Sequence, residues 1–150
     1  YKSVTTKTEL IIAFSKAIRL AVKDLDKKYK YVSKLNKMIK DNLSNYKNIT
    51  INSTKKSIPH ILNISVIGIK PETFVHALEE FDIYISTKSA CSKSGELSHS
   101  VMALTKDEKR SSYTLRISLS YRTTEEEIKD FLRFFKICYQ NLSWVENENN

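Results

Sequence analysis

Cys91 stands in a stretch built for access rather than burial: Ser86-Thr87-Lys88-Ser89-Ala90-Cys91-Ser92-Lys93-Ser94-Gly95. A structural cysteine behaves as a small hydrophobe and keeps company with Leu, Ile and Phe. Here the company is serine, lysine and a glycine, directly after the apolar alternation Ile83-Tyr84-Ile85. Ammonium groups such as those of Lys88 and Lys93 favour thiolate over thiol, and the thiolate is the nucleophile. A flexible polar segment would also let the sulfur travel on a tether. A reactive, carried sulfur is the favoured reading, with a buried thiol as its alternative. Cys138 is different. It falls on the stripe Ile128, Phe131, Leu132, Phe135, Cys138, Tyr139, Leu142 and reads as a core thiol.

The elements that must position Cys91 follow from periodicity. Leu10, Phe14, Ala17, Ile18, Ala21 and Leu25 recur at helical spacing, and Val32, Leu35, Ile39 and Leu43 continue the stripe. One long N-terminal helix is expected, with Lys27-Lys28-Tyr29-Lys30 as the place where it could bend. Ile49-Thr50-Ile51 reads as a short strand. A second strand follows Pro59 and ends at Gly68. Pro71 opens a helix at a first-turn position, with Glu72 suited to its positive end. Ile83 and Ile85 predict another strand, and residues 100–104 a short helix. Leu115, Ile117 and Leu119 alternate with Arg116, Ser118 and Ser120, which gives a strand with one polar face. Thr123 or Thr124 caps a final helix whose first turn holds Glu125, Glu126 and Glu127.

This order predicts an α+β fold: a small mixed or antiparallel sheet covered by helices on one face, after a long helix. Residues 1–150 are expected to form one domain, with about 8–45 as a connecting helical region. Residues about 49–143 form the small α+β unit and 146–150 a frayed tail. The uncovered sheet face would carry Arg116, Ser118 and the exit to Cys91, which suits a half-site facing another domain.

With 150 residues and 41% apolar content, the chain can build a core. No apolar run approaches the roughly 20 residues of a membrane span. The net charge of +8 comes mostly from lysines spread along the chain. Arginine, the usual phosphate reader, is sparse. A solvated helix face is thus favoured over a nucleic-acid surface. Asn48, Asn52, Asn63 and Asn141 open Asn-x-Ser/Thr triplets. With no signal-peptide pattern, these read as accidents of composition and the compartment as cytoplasmic. The absence of an initiator Met reads as a piece of a longer chain.

Four segments in order resemble the carboxy-terminal part of cysteine desulfurases, in the class V aminotransferase group of pyridoxal-phosphate enzymes. They are residues 17–21, Pro59-His60-Ile61-Leu62-Asn63-Ile64-Ser65, residues 83–92, and Leu115-Arg116-Ile117-Ser118-Leu119-Ser120 with Thr123-Thr124-Glu125-Glu126-Glu127-Ile128 after it. The resemblance implies that Cys91 attacks the sulfur of L-cysteine, leaving L-alanine and a persulfide for an acceptor protein. It implies that Arg116 grips the substrate carboxylate. His99 falls near a family histidine, where capping or packing is the plainer role, and Lys88 and Lys93 are candidate loop modulators. Lys88 replaces a common glycine, and Tyr121-Arg122 a Gly-Arg pair. The family's Schiff-base lysine follows a histidine, and no lysine here does. Pyridoxal 5'-phosphate is therefore expected in an intact, homodimeric enzyme, through a lysine outside this chain, and not bound to the fragment alone. The alternatives are another class V aminotransferase or selenocysteine lyase, and a non-catalytic basic module that docks protein or RNA.

Overall fold

Three short runs rich in β-branched residues build the sheet. The computed structural model of the chain describes residues 7–87 and 97–148, with side chains through 143, and in it these runs are β1 (Ile49–Ile51), β2 (Ile61–Val66) and β3 (Thr114–Ser118). β2 is central and antiparallel to both neighbours, with Ile51 opposite Ile64 on one side and Leu62 opposite Ile117 on the other. Side chains alternate between faces along a strand. This register gathers Leu62, Ile64, Val66, Leu115 and Ile117 on one face, none more than 4% exposed. Thr50, Asn63, Ser65, Thr114, Arg116 and Ser118 share the other.

The described helices are α1 (Thr8–Val22), α2 (Leu25–Leu43), α3 (Pro71–Glu79), α4 (His99–Thr105), α5 (Glu108–Ser112) and α6 (Glu125–Glu148). α2, α3 and α6 supply the other half of the core through Val32, Leu35, Ile39, Phe74, Leu78 and Phe135. The Phe74 and Phe135 rings meet with centroids 4.8 Å apart. Burying each such side chain contributes roughly 1.5–3 kcal/mol. The α+β class with a small antiparallel sheet is as the sequence implies.

Three details differ from the sequence expectation. The N-terminal helical stretch is two helices, divided at Lys23 and Asp24, where Asp24 takes the left-handed conformation (φ 59°). Aspartate tolerates that region better than most residues. The Lys27–Lys30 stretch expected to bend lies inside α2, with Lys28 N–H donating to the Asp24 carbonyl at 2.9 Å. Second, 83–85 is not a strand. Ile83 and Ile85 pack against the core as their alternation implies, yet Ile83 N–H caps the Leu78 carbonyl of α3. Only Ser86 bridges to the sheet, at Arg116. Third, α5 was not legible, although Asp107 caps it by accepting from Arg110 N–H at 3.0 Å. Ser65 on the sheet's polar face donates to the Arg110 carbonyl in α5 at 2.7 Å, so helix covers one end of the second face as well.

Candidate functional site

Arg116 is the middle residue of β3, on the polar face, opposite Asn63 of β2. Its backbone N–H and C=O both bond Ser86, at 2.6 and 3.1 Å, and so point away from β2. The backbone of Asn63 turns the other way, to Ser53 Oγ at 2.9 Å and Asn52 N–H at 2.9 Å. The Asn63–Arg116 pair is therefore of the non-hydrogen-bonded kind, in which facing side chains come closest.

The Arg116 guanidinium makes no ion pair or hydrogen bond with the described residues. It lines a surface cleft of about 310 Å³ together with Asn63, Thr87, Ser98, His99 and Leu104. The described lining includes no lysine and no carboxylate. A guanidinium fork among hydroxyls and amides, with no competing anion among the described residues, is suited to a carboxylate ligand.

Cys91, Lys88 and Lys93 lie in segment 88–96, outside the described residues. The anchors of that segment are described. Thr87 and Ser98 both line the cleft, Ser86 is tied to Arg116, and Ser98 N–H donates to the Ser111 carbonyl at 3.0 Å. Cys91 follows Thr87 by four positions, a separation that an extended chain covers in at most about 14 Å. His99, the exposed first residue of α4, stands at the cleft rim with Arg116.

Sequence reasoning passed over a polar network that runs from the cleft wall to α5. Arg110 donates through Nε and Nη2 to Asn52 Oδ1, at 3.1 and 2.8 Å. Asn52, 4% exposed, donates through Nδ2 to Asn63 Oδ1 and to Ser65 Oγ, both at 2.7 Å. The alternation of β2 does place Asn63 beside Arg116, but nothing in the sequence links Asn52 to Arg110.

Cys138 is core, 3% exposed, with its thiol donating to the Ala77 carbonyl at 3.4 Å. Burial, and secondarily the negative charge of Glu80, raises its pKa above the ordinary thiol value. That makes it a poor nucleophile. Among the described residues no three His, Cys, Asp or Glu cluster as a metal site would require. No described helix is long and apolar enough to cross a membrane.

Residues 1–131 match the family model for aminotransferase class-V. The chain is 34% identical over 153 residues to a NifS/IcsS protein homolog of Lactobacillus delbrueckii subsp. bulgaricus, covering 97% of this chain and 39% of the relative. It is 30% identical over 144 residues to cysteine desulfurase IscS of Vibrio vulnificus, covering 95% and 35%. Among solved structures, a NifS-like protein superposes with TM-score 0.69 at 28% identity, over 86% of this chain and 32% of that one. A NifS-like protein from Rickettsia africae shares the fold, with TM-score 0.67 at 20% identity, over 81% and 31%. The chain thus spans 35 to 39% of the length of these two curated relatives.

Proposed function

The chain belongs to the class V aminotransferase family, and we propose that it serves cysteine desulfuration, with Arg116 holding the carboxylate of L-cysteine and Cys91 taking its sulfur. The carbon–sulfur bond of the substrate breaks and a sulfur–sulfur bond to Cys91 forms. L-cysteine and the Cys91 thiol become L-alanine and a Cys91 persulfide, and the proton released between the two sulfurs ends on the alanine methyl group. The persulfide then passes to an acceptor protein by thiol exchange, for which a tethered, thiolate-favouring cysteine is suited. A homodimeric, cytoplasmic enzyme is part of the same reading.

One observation carries it. A guanidinium without a partner among the described residues sits in a cleft whose described lining holds no carboxylate, and both anchors of the Cys91 segment line that cleft. The relatives named cysteine desulfurase point the same way.

Pyridoxal phosphate supplies an electron sink for such chemistry when bound. It needs a lysine amine for attachment and a polar partner for its ring nitrogen. No lysine stands among the described residues that line the Arg116 cleft, so these do not fit the cofactor, and we assign the groups that hold it to parts of the protein outside these 150 residues.

The test uses the full-length protein, loaded with cofactor and supplied with L-cysteine and a reducing thiol. Wild type should release alanine and sulfide in equal amounts. Cys91→Ala should keep the cofactor absorbance and lose both products. Sustained turnover by that variant would remove Cys91 from the sulfur path and end this reading.

A further inference from the structure

We propose that Asn63 supplies a second donor, beside Arg116, to the carboxylate held in the cleft, and that Arg110 and Asn52 are positioning residues that set which way its amide points. This rests on the reading of the cleft given above.

The inference follows from donor and acceptor chemistry. A guanidinium can only donate. The Asn52 atom that receives two bonds from Arg110 must therefore be its carbonyl oxygen, which turns its NH₂ towards Asn63 and Ser65. The Asn63 atom facing that NH₂ must in turn be an acceptor, so its own NH₂ is left on the other side. That NH₂ has no partner among the described residues, and Asn63 lines the cleft directly opposite Arg116.

The relay is closed at its buried end. Both Asn52 N–H groups and its carbonyl oxygen are in use, and Ser65 Oγ accepts from Asn52 and donates to the Arg110 carbonyl. Reversing Asn52 would set donor against donor in a site that is 4% exposed. The polarity of a charged residue in α5, on the same polar face of the sheet, thus reaches the Asn63 amide in the cleft through the Asn52 side chain. A carboxylate has about four lone-pair sites, and the Arg116 fork uses two of them. The Asn63 amide is placed to fill a third.

Kinetics of the cofactor-loaded, full-length protein test this, with KM and kcat for L-cysteine measured separately. Asn63→Asp keeps the acceptor for Asn52 and replaces the outward NH₂ with an oxygen; Asn63→Ala removes the amide without adding charge. Both should raise KM by about tenfold or more with kcat within about threefold, as loss of uniform binding requires. Arg110→Met, which frees Asn52 to reverse, should raise KM in the same direction. Arg110→Lys, whose ammonium also only donates, should return it towards wild type. If Asn63→Asp and Asn63→Ala match wild-type KM while Arg116→Met raises it, Asn63 is no ligand and the carboxylate reading of Arg116 stands. If Arg110→Met and Arg110→Lys behave alike, the positioning role is lost. If Arg116→Met leaves KM unchanged, the carboxylate reading itself falls, and Asn63 with it.

Discussion

Thr114 and Ser65 face each other across β3 and β2 on the sheet's polar side, and both are fully buried. Ser65 has partners for its hydroxyl, whereas Thr114 Oγ1 has none among the described residues. A buried hydroxyl without a partner carries its desolvation cost uncompensated. Thr114→Val keeps the shape and removes that cost. It should stabilise the fold by about 1 kcal/mol, or raise the thermal midpoint by roughly 2–4 °C. A lower midpoint in a calorimetric scan would mean that the hydroxyl has a partner after all. Other single residues were legible from pattern: the stripe placed Cys138 in the core, and strand alternation put Arg116 on a polar face. The Arg110–Asn52 contact was not, because it joins residues 58 apart. It exists only once β1 has paired with β2 and α5 has closed over the sheet.

At the scale of elements, α6 shows what a local code can specify. Thr124 and Glu127 stand three apart, as a capping box requires. Glu127 N–H donates to Thr124 Oγ1 at 3.1 Å, and Thr124 N–H donates to Glu127 Oε2 at 2.6 Å. The Thr124 backbone N–H, and then its hydroxyl, hold the Glu127 carboxyl below its ordinary value of 4.5. A lowered folded-state pKa gives stability that is present above the unfolded value and lost as pH falls through the folded one. Thr124→Ala should cost about 1 kcal/mol near neutrality. The cost should shrink, without vanishing, as pH falls through the lowered folded-state value and acid protonates Glu127. The bond from Thr124 Oγ1 to the carboxylate then weakens, while the bond from Glu127 N–H to that hydroxyl does not depend on charge. Urea melts of the two proteins at neutral and acid pH check this. A gap that stays constant with pH would show that only the Thr124 side of the box contributes. Pairing is less local than capping. The alternation of Ile83, Tyr84 and Ile85 told which side chains are buried, yet it could not tell that their backbone turns to cap α3 and leaves Ser86 alone on β3. The break at Asp24 was hidden for a related reason, since the apolar stripe continues across it.

The whole molecule sets an apolar helix against a charged body. α1 buries none of its residues, and Leu10, Phe14 and Ile18 are 61, 67 and 48% exposed. In isolation that surface favours contact between copies of the 150-residue chain, while the net charge of +8 opposes it. Part of the lysine charge of α2 is already paired, Lys34 with Glu125 and Lys37 with Asp41, both at 2.5 Å. These pairs are exposed and worth little, so the repulsion between copies remains long-ranged and sensitive to salt. Adding salt shortens the screening length from about 30 Å at 0.01 M to about 10 Å at 0.1 M and leaves the apolar contact intact. Association of the isolated chain should therefore grow with ionic strength, read as a rising weight-average mass in sedimentation equilibrium. Phe14→Glu with Ile18→Glu should abolish the rise, although the pair of substitutions lowers the net positive charge that keeps copies apart. If association instead weakens as salt is added, lysine pairing with carboxylates of another copy drives it, and the exposed face of α1 is not the contact.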